Sequence, residues 1–257
     1  MDLGLKGKSA IICASSKGLG KACAKALAQE GVDVWISGRT PETLTTAAAE
    51  IQEASDGNVH TVIADVTTLE GRQELLNACP TPDIVVNNAG GPPPGDFRDW
   101  DQQAWFDAIN SNMFSAIDMI RNTIDGMIER KFGRIVNITS VAVKLPQAEL
   151  GLSNGARAGL TGFIAGIARE PAQHNVTINN LLPGFIDTDR MRGVVDAKAK
   201  GSEDPNFADN FFNRIPAKRP GDPDEFGATC AFLCSQQAAY ITAQNLLVDG
   251  GIYPGTL

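Results

Sequence analysis

The first residues with chemical consequence are glycines that follow directly on a run of apolar, β-forming residues. Ser9–Cys13 leads into CASSKGLG at residues 13–20, and a segment of helical period begins at once. Glycines placed there let the main chain approach a phosphate, which then sits at the positive end of the following helix. Other short turns fall at equivalent places: Asp65-Val66, Asn87-Asn88-Ala89-Gly90, and Pro183-Gly184 with Thr188 just beyond. Each follows a candidate strand, and the carboxyl ends of parallel strands are where open sheets bind ligands. A pyrophosphate-bearing dinucleotide is the chemistry these spacings suit. The remaining reactive side chains make no such pattern. Cys13, Cys23, Cys79, Cys230 and Cys234 form no C-x-x-C and have no neighbouring His. Cys230 and Cys234 lie four apart on an expected helix, where small buried apolar residues are the favoured reading. No metal site is expected. His60 and His174 fall on a strand edge and in a loop, away from the turns.

The elements that must position these turns alternate along the whole chain. Candidate strands are Ser9–Cys13, Asp33–Ser37, Val59–Ala64, Asp83–Asn87, Arg134–Ile138, Thr177–Leu182 and Leu246–Asp249. Most are apolar throughout, as strands buried on both faces of a parallel sheet are. Amphipathic stretches lie between them: Gly20–Glu30, Pro41–Ala54, Leu69–Ala78, Gln102–Glu129, Gly155–Ala172 and Pro223–Ser235. The alternation predicts a single α/β domain over residues 1–257, a doubly wound, Rossmann-like, seven-stranded parallel sheet with helices on both faces. The 257 residues are 43% hydrophobic and 20% charged, enough apolar material for one large core. Thirty acidic against 22 basic residues give a net charge of −8, which argues against nucleic acid as a partner. No apolar run is long enough to span a membrane, and the first residues carry no secretory pattern. A cytoplasmic, reducing setting is expected. GGPPPG at 90–95 reads as a rigid loop, and 190–214 as a mobile substrate flap that interrupts the alternation.

These blocks, in this order, resemble the short-chain dehydrogenase/reductase family in its compact form, similar to the 3-oxoacyl-ACP reductase-like members. Gly18 and Gly20 match its glycine pattern, Asn87–Gly90 its NNAG, Asp65 its adenine-contacting acid, and Asn179, Pro183 and Gly184 its N-x-x-x-P-G. Arg219-Pro220-Gly221, Glu225, Tyr240-Ile241 and Val248-Asp249-Gly250-Gly251 match its C-terminal pattern. The resemblance implies an oxidoreductase that binds a nicotinamide dinucleotide and a small-molecule substrate. The implied cofactor contacts are Ser15, Lys17, Gly18, Leu19, Gly20, Arg39, Asp65, Val66, Asn88, Ala89, Gly90, Pro183, Gly184, Ile186 and Thr188. Ala14 stands where the family has its first Gly, a change tolerated at negative φ and opposed only at positive φ. The second strand ends Ser37-Gly38-Arg39, without the acid that would hydrogen-bond a ribose 2′-hydroxyl. Arg39 and Lys17 suit a 2′-phosphate, and Ser37 could add a donor, so NADP(H) is expected over NAD(H).

The catalytic block departs from the family. Its reductases use Asn, Ser, Tyr and Lys, the Lys lowering the phenol's pKa so that it can donate a proton. Here Asn112 matches the Asn, with Asn110 as a neighbouring competitor, and Ser140 matches the Ser. In LSNGARAGL, thirteen residues on, Ser153 takes the Tyr position and Arg157 the Lys position. Arg157 can polarise an oxygen but not relay a proton. The expected activity is therefore hydride transfer to or from a carbonyl or alcohol, or to an activated acceptor such as an enone, quinone or iminium. Lys144 and Glu149, in the loop between Ser140 and Ser153, are candidate stand-in donors or substrate contacts, with solvated loop charges as the favoured reading. The alternative is a catalytically silent NADP(H)-binding sensor or oligomer partner. Halohydrin dehalogenases also carry Arg at the Lys position, but they keep the Tyr and lose the glycine loop, the reverse of this chain. Family members are usually tetramers, and Gly155–Ala172 belongs to their usual interface, so a homotetramer or dimer is implied.

Overall fold

The computed structural model describes residues 2–202 and 204–256. Seven strands form one all-parallel sheet: β1 (Ser9–Ile12), β2 (Asp33–Gly38), β3 (Val59–Ile63), β4 (Ile84–Asn87), β5 (Gly133–Ile138), β6 (Val176–Pro183) and β7 (Asn245–Val248). Their order is β3-β2-β1-β4-β5-β6-β7, so the winding reverses between β1 and β4. That reversal opens a crevice at the carboxyl edge, the usual ligand site of such sheets. All seven expected strands are present, with ends shifted by a residue.

Alternation of side chains along the strands builds two cores. Ala10, Ile12, Val34, Ile36, Ile84 and Val86 face α1 (Gly18–Gln29), α2 (Pro41–Glu53) and α9 (Pro223–Cys234). Ile11, Val85, Ile135 and Ile178 face α3 (Leu69–Ala78), α5 (Ser115–Arg130) and α6 (Gly151–Ile167). Burial of both faces accounts for the continuous apolar runs. Cys23, Cys230 and Cys234 lie fully buried in the first core with thiol pKa values pushed up at Cys230 and Cys234, and they serve as core side chains.

The expected helix 102–129 is interrupted. α4 (Gln102–Ile109) passes into one π turn at Asn110–Phe114 before α5 resumes. Such a bulge re-aims side chains within a helix that still reads as continuous in sequence. The stretch expected as a flap folds into α7 (Asp189–Lys200) and α8 (Phe207–Phe212), and Phe211 packs edge-on against Phe185 at 4.8 Å.

Asparagines knit the strand ends together. Asn87 Nδ2 donates to Asn137 Oδ1 at 2.9 Å, Asn137 to Asn180 at 3.1 Å, and Asn180 to Asn245 at 2.8 Å. These residues are in register across β4, β5, β6 and β7, so the buried amides satisfy one another beneath the crevice. Two tryptophans support the opposite wall. A Cβ on Gly151 would lie 2.5 Å from the Trp100 ring, and one on Gly155 would lie 2.9 Å from Trp105. Small residues on α6 therefore admit indoles from the same chain, while Gly162 and Gly166 face open space.

Candidate functional site

At the end of β1 the chain turns sharply under the support of two fully buried serines. Ser15 Oγ donates to Ile12 O at 2.7 Å and accepts from Ser37 N at 2.9 Å, while Ser37 Oγ accepts from Ala14 N at 3.0 Å. Ser37 thus braces the turn from inside, contrary to the expectation that its hydroxyl would meet a phosphate. Ala14 has φ +46, the positive value its methyl opposes, so its tolerance at negative φ does not apply. An alanine there carries strain of about 1–2 kcal/mol relative to relaxed backbone.

The following helix opens without a cap. Lys17, at the N-cap of α1, is extended and makes no side-chain cap bond, and the first turn holds no acid. The leading N–H groups and the positive end of the helix dipole are left to an anion. Gly20 explains how other blocks approach: a Cβ there would stand 2.6 Å from Ala14 O and 2.9 Å from Asn88 Nδ2. Asn88 Nδ2 in turn donates to Ala14 O at 3.0 Å. Gly18 has φ +54, and its missing Cβ would be 3.6 Å from Thr188 Cγ2. Residues far apart in sequence thus meet around one turn. Leu19 packs on the first core, and Ala89 packs on the second. Gly90 faces open space.

The Pro183-Gly184 turn is held by β7, because a Gly184 Cβ would lie 2.7 Å from Asp249 Cα. Ile186 is buried and bridges to Gly221, and Thr188 Oγ1 accepts from Met191 N at 3.3 Å to cap α7. At the other end of the crevice, Arg39 is 80% exposed and its Nη1 is 3.8 Å from Asp65 Oδ2. A pair so long and wet holds the guanidinium loosely. Asp65 Oδ1 accepts from Thr67 N and Oγ1, and Val66 O accepts from the buried Arg72. A cleft lined by Arg39, Ala64, Asp65 and Gly71 runs past them.

The catalytic positions converge on the end of β5. Ser140 Oγ accepts from Ala142 N at 3.1 Å. Arg157 Nε donates to Ser153 Oγ at 3.2 Å, and its Nη1 donates to Ile138 O at 2.7 Å and Thr139 O at 2.9 Å. The guanidinium is nine-tenths buried and meets no carboxylate among the described residues. Burial, and then the nearby Arg190, push its pKa down to about 10, so it remains a cation at neutral pH. Because Ser153 Oγ accepts from the guanidinium, its hydroxyl hydrogen is left to donate elsewhere. Asn112 lies in the π turn, its Nδ2 donating to Gly90 O at 3.2 Å and its buried Oδ1 without a partner. Asn110 turns aside to donate to Thr67 O at 2.8 Å. Asn88, Asn112, Ser111 and Arg157 line a small cavity of about 10 Å³.

Several expectations are corrected by these contacts. Glu149 pairs with Lys198 at 3.2 Å, and its carboxyl is held below the usual range by a backbone hydrogen bond and then by Lys198, so it is ionised rather than a proton donor at neutral pH. Tyr253, near the end of the chain, lies under Lys144, whose Nζ is 5.4 Å from the ring centroid. The separation of those two residues along the chain left no signal. Arg190 also escaped notice: its Nη2 donates to Pro92 O at 3.2 Å, and a Gly91 Cβ would strike the guanidinium at 2.7 Å. His60 stacks on Trp35 at 4.3 Å on β3, and His174 lies in a 3-10 turn before β6, both outside the crevice. Among the described residues no group of His, Cys, Asp and Glu is placed to hold a metal, and no helix is long and apolar enough to cross a membrane.

Comparison with known proteins agrees with this fold. Residues 13–253 match a family model described as enoyl-(acyl carrier protein) reductase. The 3-oxoacyl-[acyl-carrier-protein] reductase FabG of Vibrio harveyi is 33% identical over 252 residues, 98% of this chain and 99% of the relative. FabG of Escherichia coli is 32% identical over 252 residues, again 98% and 99%. Among solved structures, YwfH, an NADPH-dependent reductase involved in bacilysin biosynthesis, superposes with a TM-score of 0.90 at 29% identity, covering 96% of this chain and 99% of that one. L-sorbose reductase from Gluconobacter frateurii, complexed with NADPH and L-sorbose, gives 0.92 at 28% identity, covering 99% and 100%.

Proposed function

This chain belongs to the short-chain dehydrogenase/reductase family, and from that premise we propose that it is an NADP(H)-dependent reductase of acceptors that need little general-acid help. The observation that carries the cofactor assignment is Arg39: a loosely held cation closes β2 where an NAD-selective site would place an acid. The uncapped α1 and the crevice that Gly20 keeps open fit a pyrophosphate, and Lys17 adds a second exposed cation. The NADPH complex of sorbose reductase and the NADPH dependence of YwfH support the same choice. Arg39 and Lys17 would hold the 2′-phosphate, the first turn of α1 the pyrophosphate, and Asn88 and Thr188 the groups between.

Bound NADPH supplies the hydride. The chain's part is electrostatic. Arg157, fixed on two strand-end carbonyls, stays charged and orients Ser153 so that the serine hydroxyl donates into the crevice. Ser140, held by Ala142 N, presents a second hydroxyl at the end of β5. Two preorganised hydroxyls beside a buried cation stabilise negative charge on an acceptor oxygen without surrendering a proton. That suits a conjugated acceptor, where charge spreads onto an enolate and water protonates it, better than an isolated ketone, whose alkoxide needs a proton at once.

Small-molecule reduction by an oligomer completes the proposal. Phe106 on α4 and Phe114 in the π turn are about half exposed, apolar surface that a second copy would cover. The test is NADPH consumption with the conjugated benzylideneacetone and its saturated ketone counterpart. Turnover of the enone with little of the ketone is expected. NADPH binding without turnover of any activated acceptor would favour the silent sensor instead.

A further inference from the structure

Two arginines at the catalytic end have no carboxylate partner, whereas the acids beside them are held in ion pairs. Asp187 and Asp189 are both taken by Arg192, at 2.6 and 2.8 Å, and Glu149 is taken by Lys198. Arg157 and Arg190 meet no carboxylate among the described residues. The protein as a whole carries a net charge of −8, yet here Arg157, Arg190, Arg192 and Lys198 outnumber Asp187, Asp189 and Glu149. Such a local reversal raises the concentration of anions at the site.

Arg190 is placed to meet one. It projects from the first turn of α7 across to the loop after β4, its guanidinium against the Gly91 backbone. Only glycine leaves room for it there, and a single hydrogen bond, to Pro92 O, fixes it. One of five donor hydrogens is thereby used, and the group remains open to solvent. Arg190 lies near enough to Arg157 for the two charges to act on each other, so it stands at the catalytic end of the crevice. A planar fork with two unused edges matches a carboxylate.

We propose that Arg190 is a substrate-anchoring residue and that the acceptor carries a carboxylate. This deepens the reductase reading and rests on it. Arg157 contributes to the same positive field but is committed to Ser153 and the strand carbonyls, so Arg190 makes the contact.

The test compares benzylidenepyruvate with benzylideneacetone, two enones that differ by a carboxylate in place of a methyl group, titrated calorimetrically into the NADP⁺-loaded protein. The carboxylate is expected to bind at least about tenfold more tightly, the yield of one charge-assisted pair. Arg190→Gln should remove that advantage, Arg190→Lys should keep part of it, and NADPH affinity should stay within about twofold in both. Equal affinity of the two enones, or a preference that survives Arg190→Gln, overturns the proposal. Weakened NADPH binding in Arg190→Gln also overturns it, because the guanidinium would then serve the cofactor. Should the protein bind no NADPH at all, the reductase reading fails separately, and the same two titrations on the protein alone still decide the carboxylate site.

Discussion

At the nucleotide end of the crevice, order comes from glycines and buried serines, and the groups left over are main-chain N–H donors and exposed cations. At the catalytic end, order comes from an arginine that grips the end of β5, and the groups left over are two hydroxyls and a second arginine. The first end is a surface that any phosphate-bearing dinucleotide of the right shape can use, since its donors belong to the backbone. The second, on the proposed reading, holds Ser153 and Arg157 where the family's reductases have a titratable phenol and its lysine. On that proposal, one fold holds a binding half that keeps its family's pattern beside a chemical half that does not. The two halves are held by different bonds: Arg157 donates to Ile138, Thr139 and Ser153, Ser15 and Ser37 brace the turn, and Asn88 joins the two by bonding Ala14 O and lining the cavity beside Arg157.

The most damaging change to the binding half is Gly20→Val. Its Cβ would lie 2.6 Å from a backbone oxygen, and forcing the turn apart should lower NADPH affinity by about a hundredfold or more in a fluorescence titration. Arg39→Asp comes next, with NADPH affinity falling about 30- to 100-fold and NADH becoming the better ligand. Unchanged NADPH affinity would remove Arg39 from the phosphate site. Neither variant should disturb Arg157.

The chemical half is sharpened by restoring the family's pair. Ser153→Tyr with Arg157→Lys should raise turnover of simple ketones by about tenfold or more, leaving the NADPH dissociation constant within about threefold. The two proteins should also differ in pH dependence. Arg157 titrates only near pH 10, so it stays charged below that, and the wild-type rate should be flat between about pH 6 and pH 9. The double variant should gain a titrating limb in that range from its new phenol, measured as the rate at saturating NADPH. The smallest effect is expected at Ala14→Gly. Relief of the φ +46 strain, less the entropy of the added glycine, should raise Tm by about 2–3 °C without weakening NADPH binding.

The doubly wound sheet was legible because its strands are buried on both faces and read as unbroken apolar runs. The nucleotide turns were legible because glycine is required where backbones approach closely, as Gly20 does to Ala14 O. Backbone sign was not legible: nothing in CASSKGLG told Ala14 apart from an alanine at negative φ. The π turn at Asn110–Phe114 was hidden because one inserted residue scarcely alters helical periodicity. Arg190 and Tyr253 belong to the site through tertiary packing alone, with partners at Gly91, Pro92 and Lys144 that no local spacing links to them. Glu149 looked available because its partner Lys198 lies in the segment taken for a flap.

The most direct measurement is a fluorescence titration of the purified protein with NADPH, repeated with NADH. NADPH binding at least about tenfold tighter than NADH is the result that a cation-closed β2 beside an uncapped helix requires. Binding of neither nucleotide, or a preference for NADH, would contradict it.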